Sequence, residues 1–225
     1  MPSLIKDKVV FLDLGANVEC DANNLVQFAI MGNAFAKVVL GRKKPKIGLL
    51  NIGSEDFKGN DRIKSAWAIL NRLSEHGDID FYGYIEGNQI NAGDVDVIVT
   101  DGFTGNVALK TVEGTAKLSR HFLEKGFKYN ILSKIGYLLA KTALKKVMAQ
   151  LDPRIYNGAM FVGLNGVVLK SHGSSDGVAF ANALNTTISL VANNINEQII
   201  DTLRSTDLDQ DNILEKSTKL VKDGA

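Results

Sequence analysis

Residues 95–106 read VDVIVTDGFTGN, where an apolar run gives way abruptly to glycine and polar residues. The β-branched run VDVIVT predicts a buried strand over 95–100. A helix-period pattern follows it from about 106 to 125. Because a strand that passes through a glycine turn into a helix is the repeating unit of parallel sheets, this stretch predicts an α/β fold.

The same alternation extends toward the N-terminus and defines the architecture. Further strands are predicted at 9–14 (VVFLDL), 47–52 (IGLLNI) and 80–85, with helices at about 23–40 and 61–74. We therefore expect a mostly parallel sheet covered by helices on both faces, in a single α/β domain over 1–225.

The C-terminal part of the chain is predicted to be mainly helical. Residues 127–151 are expected to form two short helices, broken near Asn130 or Gly136, followed by one or two strands within 161–171. A long helix over about 175–204 and a weaker amphipathic helix over 208–221 complete the predicted elements.

Composition and short motifs narrow the function classes. The 26 basic and 25 acidic residues nearly cancel, which argues against a protein that binds nucleic acid through electrostatics. Neither a Walker A loop nor a G-x-G-x-x-G fingerprint is present. With one cysteine and no Cys/His cluster, neither a metal nor another cofactor is expected. The lack of a long apolar run and of a signal-peptide pattern predicts a cytoplasmic protein.

Three glycine-rich loops follow predicted strands, at 15–17 (GAN), 53–61 (GSEDFKGND) and 101–106 (DGFTGN). Open α/β sheets bind ligands at this edge, and the N–H groups of helix N-termini favour anions. The plainer interpretation of any one loop is a turn glycine with an asparagine cap. Lysines within and just after the loops favour phosphate. The residues predicted to bind it are Asn17, Gly53, Gly59, Asn60, Gly102, Thr104, Gly105, Lys110 and Ser174.

Four segments carry a family resemblance. In order, LDLGANVECDA, LLNIGSEDFKGND, DVDVIVTDGFTGNVALKTVEG and LKSHGSSDGVAFANAL resemble the signature segments of bacterial acyl-acyl-carrier-protein:phosphate acyltransferases. The match covers nearly all of residues 8–190. It implies a three-layer α/β/α fold similar to isocitrate dehydrogenase and phosphotransacetylase, usually as a homodimer. Members of that family carry a further N-terminal region, which the resemblance implies this chain lacks.

The resemblance also implies a reaction. Inorganic phosphate attacks the thioester of an acyl-carrier protein and gives an acyl phosphate for phospholipid synthesis, which a downstream membrane acyltransferase then uses. Two alternatives remain: a phosphotransacetylase-like enzyme that acts on coenzyme A thioesters, and a non-catalytic fragment that binds phosphate or carrier protein.

Three residues are predicted to be catalytic. Phosphate is already a nucleophile at neutral pH, so the protein must hold a dianion and stabilise the oxyanion that forms. Lys58 is assigned to phosphate or the oxyanion and Asn106 to a positioned donor, as the matching motif positions of the family suggest. His172, in KSHGSSDG, is assigned to protonation of the leaving thiolate or to a phosphate contact, and a structural role capping a turn is an equal alternative.

The remaining thiol and histidines are assigned structural roles. Cys20 has no histidine beside it in the sequence, and direct attack by phosphate makes a covalent step unnecessary, so a structural thiol is predicted. His76 and His121 are predicted to be structural or exposed.

The segment between Lys125 and Leu151 contains six lysines and no acidic residue. On a helix, Lys134, Lys141 and Lys145 fall on one stripe beside an apolar face. This pattern predicts a basic amphipathic protrusion over 127–151 that contacts an anionic membrane surface or an acidic carrier protein. The alternative is a solvated helix whose apolar face packs on the core or on a dimer partner. The apolar face consists of Ile131, Ile135, Leu138 and Leu139.

Overall fold

Four parallel strands form the central sheet. In this computed structural model, which describes residues 1–6, 8–150, 152, 154, 157–173 and 175–205, the strands are β1 (Val10–Leu12), β2 (Lys46–Leu50), β3 (Asp80–Ile85) and β4 (Val97–Val99). Their order is β1-β4-β2-β3, and every neighbouring pair is parallel. The mostly parallel sheet predicted from the sequence is confirmed.

Helices cover both faces of this sheet. They are α1 (Ala22–Leu40), α2 (Asp61–Glu75), α3 (Gly102–Lys128), α4 (Ile131–Gln150), α5 (Gly177–Ala192) and α6 (Ile195–Ser205). The alternating side chains of the strands divide the core between the two faces. Val97 and Val99 pack with α1 and α2, whereas Ile98 packs on the opposite face, where Ala108 of α3 joins the cluster. The three-layer fold is confirmed.

Acidic and amide side chains begin most of these helices. Asp21, Asn60, Asp101 and Asp176 each accept a hydrogen bond from the backbone N–H three residues later. Such caps satisfy N–H groups that the first helical turn leaves without partners. The helices therefore start close to where the turn residues in the sequence predicted, with α1 and α2 within one residue of prediction.

The C-terminal elements differ from prediction in three places. The break predicted near Asn130 or Gly136 lies at Asn130, whose side chain accepts a hydrogen bond from the Ser133 N–H, but the helices on its two sides are the end of the long α3 and the 20-residue α4 rather than two short helices. The helix predicted over 175–204 is wrong as a single element, because it is broken at Asn194, which adopts φ 49°. Of the one or two strands predicted within 161–171, β6 (Leu169–Lys170) lies in that range, whereas its antiparallel partner β5 (Ala159–Met160) precedes it. The helix predicted over 208–221 lies outside the described residues.

Candidate functional site

Three loops meet at the carboxyl edge of the sheet. Residues 13–17 follow β1, residues 51–60 follow β2, and residues 101–106, which include the first turn of α3, follow β4; we call these three segments the site loops. Because β4 lies between β1 and β2 and all three strands are parallel, the loops leave the sheet at the same edge. This is the edge at which open α/β sheets bind their ligands.

Asp13 organises the first of the site loops. Its carboxylate accepts hydrogen bonds from the N–H groups of Gly15 and Ala16 at Oδ1, and from the N–H and side-chain amide of Asn17 at Oδ2, over 2.6–2.9 Å. The side chain is buried, and burial raises the pKa of its carboxyl. The hydrogen bonds outweigh burial and hold that pKa below its usual range, so Asp13 is ionised at neutral pH.

The first loop docks directly on the start of α3. The Gly102 N–H donates to the Asn17 carbonyl at 2.8 Å, and the Asn106 side-chain amide donates to the Leu14 carbonyl at 3.0 Å. A Cβ atom at Gly105 would overlap the Asp13 carbonyl, and one at Gly102 would crowd the Asn17 backbone. The two glycines thus allow the close approach that brings Asn106 against the first loop.

Asn51 anchors the loop that contains Lys58. Its buried side chain accepts from the Ile52 N–H at 2.9 Å and donates to the Lys58 carbonyl at 3.2 Å. Gly59 turns the chain with φ +88° so close to Asn51 that a Cβ would overlap its side-chain oxygen. The Lys58 ammonium lies 5.6 Å from the ring centroid of Phe57, and no salt bridge involves Lys58 within the part of the chain that the structure describes.

Several donors that the sequence assigned to phosphate have protein partners. The N–H and side-chain amide of Asn17 bond to Asp13, and the N–H and hydroxyl of Thr104 bond to Asp101. Lys110 pairs with Glu113 at 3.1 Å. Asn60 acts instead as an acceptor, since its side-chain oxygen caps α2 by accepting from the Ile63 N–H. The phosphate-binding assignments, including that of Gly53 beside Lys58, therefore stay predictions.

His172 lies on a different element, in the loop between β6 and α5. Its N–H donates to the Asn157 side-chain oxygen at 3.0 Å, and its carbonyl accepts from the Ser175 N–H. The Asn157 amide in turn donates to the Ser171 hydroxyl and to the Ala179 carbonyl, both at 2.8 Å. The hydrogen bonds just described join this loop to α5 rather than to the site loops. Ser174 is outside the described residues.

Sequence reasoning missed the residues that position the others, Asp13, Asn51 and Asn157. Two of them had a visible signal, because Asp13 and Asn51 are polar residues at the ends of apolar strand runs. A polar side chain that is buried at such a position needs hydrogen-bond partners, and the turning backbone of the loop supplies them. Asn157 had no comparable signal.

The predictions for the thiol and the other histidines fit the structure. Cys20 is buried, its Sγ lies 3.5 Å from the Asn17 carbonyl, and burial raises the pKa of the thiol. A raised pKa suppresses the reactive thiolate, as expected of a structural thiol. His76 and His121 are exposed, which confirms their prediction.

A second notable surface lies far from the site loops. The C-terminal half of α3 and the whole of α4, residues 115–150, form a helical hairpin. The rings of Phe127 and Tyr137 pack across the two helices, with their centroids 5.5 Å apart. None of residues 131–149 is buried. The apolar face predicted from the sequence is exposed. The alternative prediction that this face packs against the core is therefore wrong. Its residues are 50–83% accessible: Ile131, Ile135, Leu138 and Leu139.

The helical hairpin also contains an open groove of about 620 Å³. Phe122, Leu123 and Phe127 of α3 line it together with Gly136 and Ser133 of α4. At 1.5 Å per residue along α3, Phe122 lies about 24 Å from Asn106. The groove is therefore separate from the site loops.

Two further classes of feature were sought in the described part of the chain. No group of three or more His, Cys, Asp and Glu side chains there is arranged to hold a metal ion. Likewise, no helix among those residues combines the length and apolar character needed to cross a membrane.

The fold and the position of the site loops define a class, the three-layer α/β/α proteins whose ligand site lies at the carboxyl edge of parallel strands. Within this class the chain belongs to the family described as "Fatty acid synthesis protein", which matches residues 1–198. This confirms the resemblance carried by the four motif segments.

Curated relatives extend the comparison. The chain is 56% identical over 195 residues to "Phosphate acyltransferase" of Paramagnetospirillum magneticum, covering 87% of this chain and 55% of that protein. It is 55% identical over 199 residues to the protein of the same name in Rhodospirillum centenum, covering 88% and 56%, and 54% identical over 202 residues to that of Rhodospirillum rubrum, covering 89% and 57%. The chain thus spans about half the length of the curated relatives it matches.

Proposed function

We propose that the complete gene product carrying this sequence is a phosphate acyltransferase that transfers an acyl group from acyl-carrier protein to inorganic phosphate. The names of the relatives support the reaction class. The observation that carries the proposal to particular residues is the Asn106 amide, which is fixed on the Leu14 carbonyl at the junction of two site loops. Its second N–H is left to donate to a ligand.

The reaction requires an anion and a developing oxyanion to be held together. A phosphate oxygen forms a bond to the thioester carbon, the carbonyl oxygen becomes negative, and the C–S bond then breaks to release the thiolate, which takes a proton. A fixed amide donor and a cation stabilise that negative charge without having to reorganise during the reaction. Asn106 is the donor and Lys58 the cation that neutralises phosphate. His172 is the proposed proton donor to the thiolate.

Acyl-carrier protein is the proposed acyl donor, and coenzyme A thioesters are the rival substrate class. The test is thiol release from each thioester, measured with and without inorganic phosphate, with hydroxylamine used to trap the acyl phosphate. The proposal predicts phosphate-dependent release with a higher kcat/KM for the carrier-protein thioester. Equal or better use of the coenzyme A thioester would favour the phosphotransacetylase alternative. Phosphate binding without thiol release would favour the non-catalytic alternative.

The helical hairpin is the proposed contact with an anionic membrane surface, where the apolar acyl phosphate would pass to a downstream membrane acyltransferase. The observation that favours this role is the exposed apolar face of α4 beside exposed Lys134, Lys141 and Lys145. Apolar side chains that enter a lipid interface beside lysines that face anionic headgroups are typical of interfacial helices. A homodimer, in which a second copy covers the same face, is the second proposal for this surface.

Flotation and sedimentation separate the two roles of the helical hairpin. Binding to vesicles containing anionic lipid, abolished by Leu139→Glu in a protein that stays monomeric, supports the membrane contact. Dissociation of a dimer by the same substitution, with vesicle binding unchanged, supports the second copy.

A further inference from the structure

We infer that Asp13 is a positioning residue, which orients the Asn106 amide by fixing the peptide unit between Leu14 and Gly15. The inference rests on the proposed function, because Asp13 acts here through a residue assigned to the reaction. It concerns the arrangement of the site and names no new substrate.

The peptide unit between Leu14 and Gly15 is held from both ends. Its N–H, on Gly15, donates to Asp13 Oδ1 at 2.8 Å, and its carbonyl, on Leu14, accepts from the Asn106 amide at 3.0 Å. A peptide unit is planar, and in the trans form its N–H and C=O point in opposite directions. When Asp13 fixes the direction of the N–H, it also fixes the direction in which the carbonyl meets Asn106.

Asp13 is held strongly enough to act as this reference point. Asp13 is 9% exposed as a residue, and its two carboxylate oxygens together accept four hydrogen bonds from the loop. Charge-assisted hydrogen bonds of this kind are about twice as strong as neutral ones. The Asp13 backbone is fixed as well, since its N–H donates to the Thr100 carbonyl at the end of β4 at 2.9 Å.

Asn106 needs such a reference because it is an exposed residue on the first turns of α3. An exposed amide samples several rotamers, and each rotamer aims its N–H groups differently. The bond to Leu14 selects one orientation, which leaves the second N–H of the amide in one fixed direction. A donor that is already oriented contributes more to stabilisation of an oxyanion than one that must be ordered during the reaction.

The test replaces Asp13 by asparagine in the complete gene product. In Asp13→Asn one oxygen becomes an NH₂ group, so that donors face donors at Asn17 and the loop loses its anchor. We expect kcat to fall at least tenfold while KM for the thioester changes less than threefold. We also expect Asp13→Asn combined with Asn106→Ala to be no slower than Asn106→Ala alone, because the two residues act in one chain of contacts. Multiplied losses would overturn the inference.

Nuclear magnetic resonance of the Asn106 side-chain amide gives a readout that does not depend on activity. The two side-chain proton shifts of Asn106 in the wild type should move to the values of a solvated amide in Asp13→Asn, and unchanged shifts would overturn the inference. This measurement distinguishes its failure from that of the proposed function, which fails if the wild type shows no phosphate-dependent thiol release.

The matched control is Asp21→Asn, which alters the acidic cap of α1 without a link to Asn106. It should leave both turnover and the Asn106 shifts unchanged, and if it reproduces the effects of Asp13→Asn, the inference is wrong. If Asp13→Asn does not fold, Asp13→Glu takes its place in the same measurements, because it keeps the charge and displaces the oxygens by about one bond length. The turnover and the Asn106 amide shifts of that variant then decide whether the inference holds.

Discussion

The site loops bury their polar groups, whereas the helical hairpin exposes its apolar ones. Asp13 and Asn51 are 9% and 6% exposed, and both terminal polar atoms of each side chain are hydrogen-bonded. Leu139, by contrast, is 83% exposed. Buried polar groups with complete hydrogen bonding hold a single geometry, which chemistry requires. An exposed apolar face of this extent on a monomer is typical of a contact surface. Under the proposed function, the site loops are the reacting part of the molecule and the helical hairpin is the contacting part.

The largest expected effect separates the two regions by turnover. Lys58→Ala and Asn106→Ala should each lower kcat by on the order of 10²–10³, as the loss of one oxyanion donor does. Lys43→Ala, an exposed lysine beyond α1 at the opposite edge of the sheet, is the matched control and should keep the wild-type rate. Near-normal rates in both site variants, with unchanged circular dichroism, would show that the reaction does not take place at the site loops.

Truncation of a side chain should lower the stability of the protein much more in the core beneath the site loops than on the helical hairpin. Leu49 is fully buried in β2, so Leu49→Ala should lower the free energy of unfolding by about 2–5 kcal/mol. Leu139→Ala should change it by less than about 0.5 kcal/mol, because nothing in the described chain covers that side chain. Urea denaturation at two protein concentrations checks this pair. A large, concentration-dependent loss for Leu139→Ala would mean that a second copy covers α4.

Charge reversal on the helical hairpin should weaken membrane binding and leave turnover unchanged. Replacement of Lys134, Lys141 and Lys145 by glutamate should reduce binding to anionic vesicles by well over tenfold, since each lysine contributes about 1 kcal/mol near such a surface. The binding should also weaken with salt. Turnover of a short-chain carrier-protein thioester should hold. A raised KM for carrier protein with unchanged vesicle binding would make the stripe a docking site instead.

Acid should weaken the first site loop through Asp13. Its pKa is lowered in the folded protein, so its contribution to stability is present above the unfolded value of about 3.9 and is lost as pH falls through the folded pKa. The difference in Tm between wild type and Asp13→Asn should therefore be constant near neutral pH and shrink below about pH 4. A difference that grows on acidification would contradict the hydrogen bonding described for this carboxylate.

The smallest effect is expected at the buried thiol. Cys20→Ser should keep most of the turnover, because in the proposed mechanism phosphate itself attacks the thioester, and because the thiol is shielded from solvent. Trapping of a radiolabelled acyl group on the wild type, lost in Cys20→Ser, would replace direct attack by a covalent mechanism.

Elements with a strong period were predictable, and their ends were predictable only where a cap fixes them. The strand predicted over 9–14 ends at Leu12, because the Asp13 carboxylate turns toward the N–H groups of its own loop. Gly136 does not break α4, because a single glycine inside a helix costs only about 1 kcal/mol relative to alanine. The pair Asn193-Asn194 does break the last long helix, and this signal was visible, since asparagine tolerates positive φ.

The candidate site was predictable as a set of loops but not as a network. Glycine turns after strands indicated that the three loops lie at one edge of the sheet, because parallel strands must end there together. The bond between Asn106 and Leu14 joins residues 92 apart in the sequence. No local sequence pattern indicates such a contact. Nor does one indicate that Asp13 and Asp101 accept hydrogen bonds from donors of Asn17 and Thr104 that were predicted to bind phosphate.

Titration of inorganic phosphate into ¹⁵N-labelled complete gene product tests the account most directly, because it locates the anion without relying on turnover. The account predicts saturable shifts at the Asn106 side-chain amide and at the backbone of residues 53–60, which are lost in Lys58→Ala and absent from residues 131–150. Saturable shifts confined to the lysines of the helical hairpin, or none at the site loops at saturating phosphate, would contradict it.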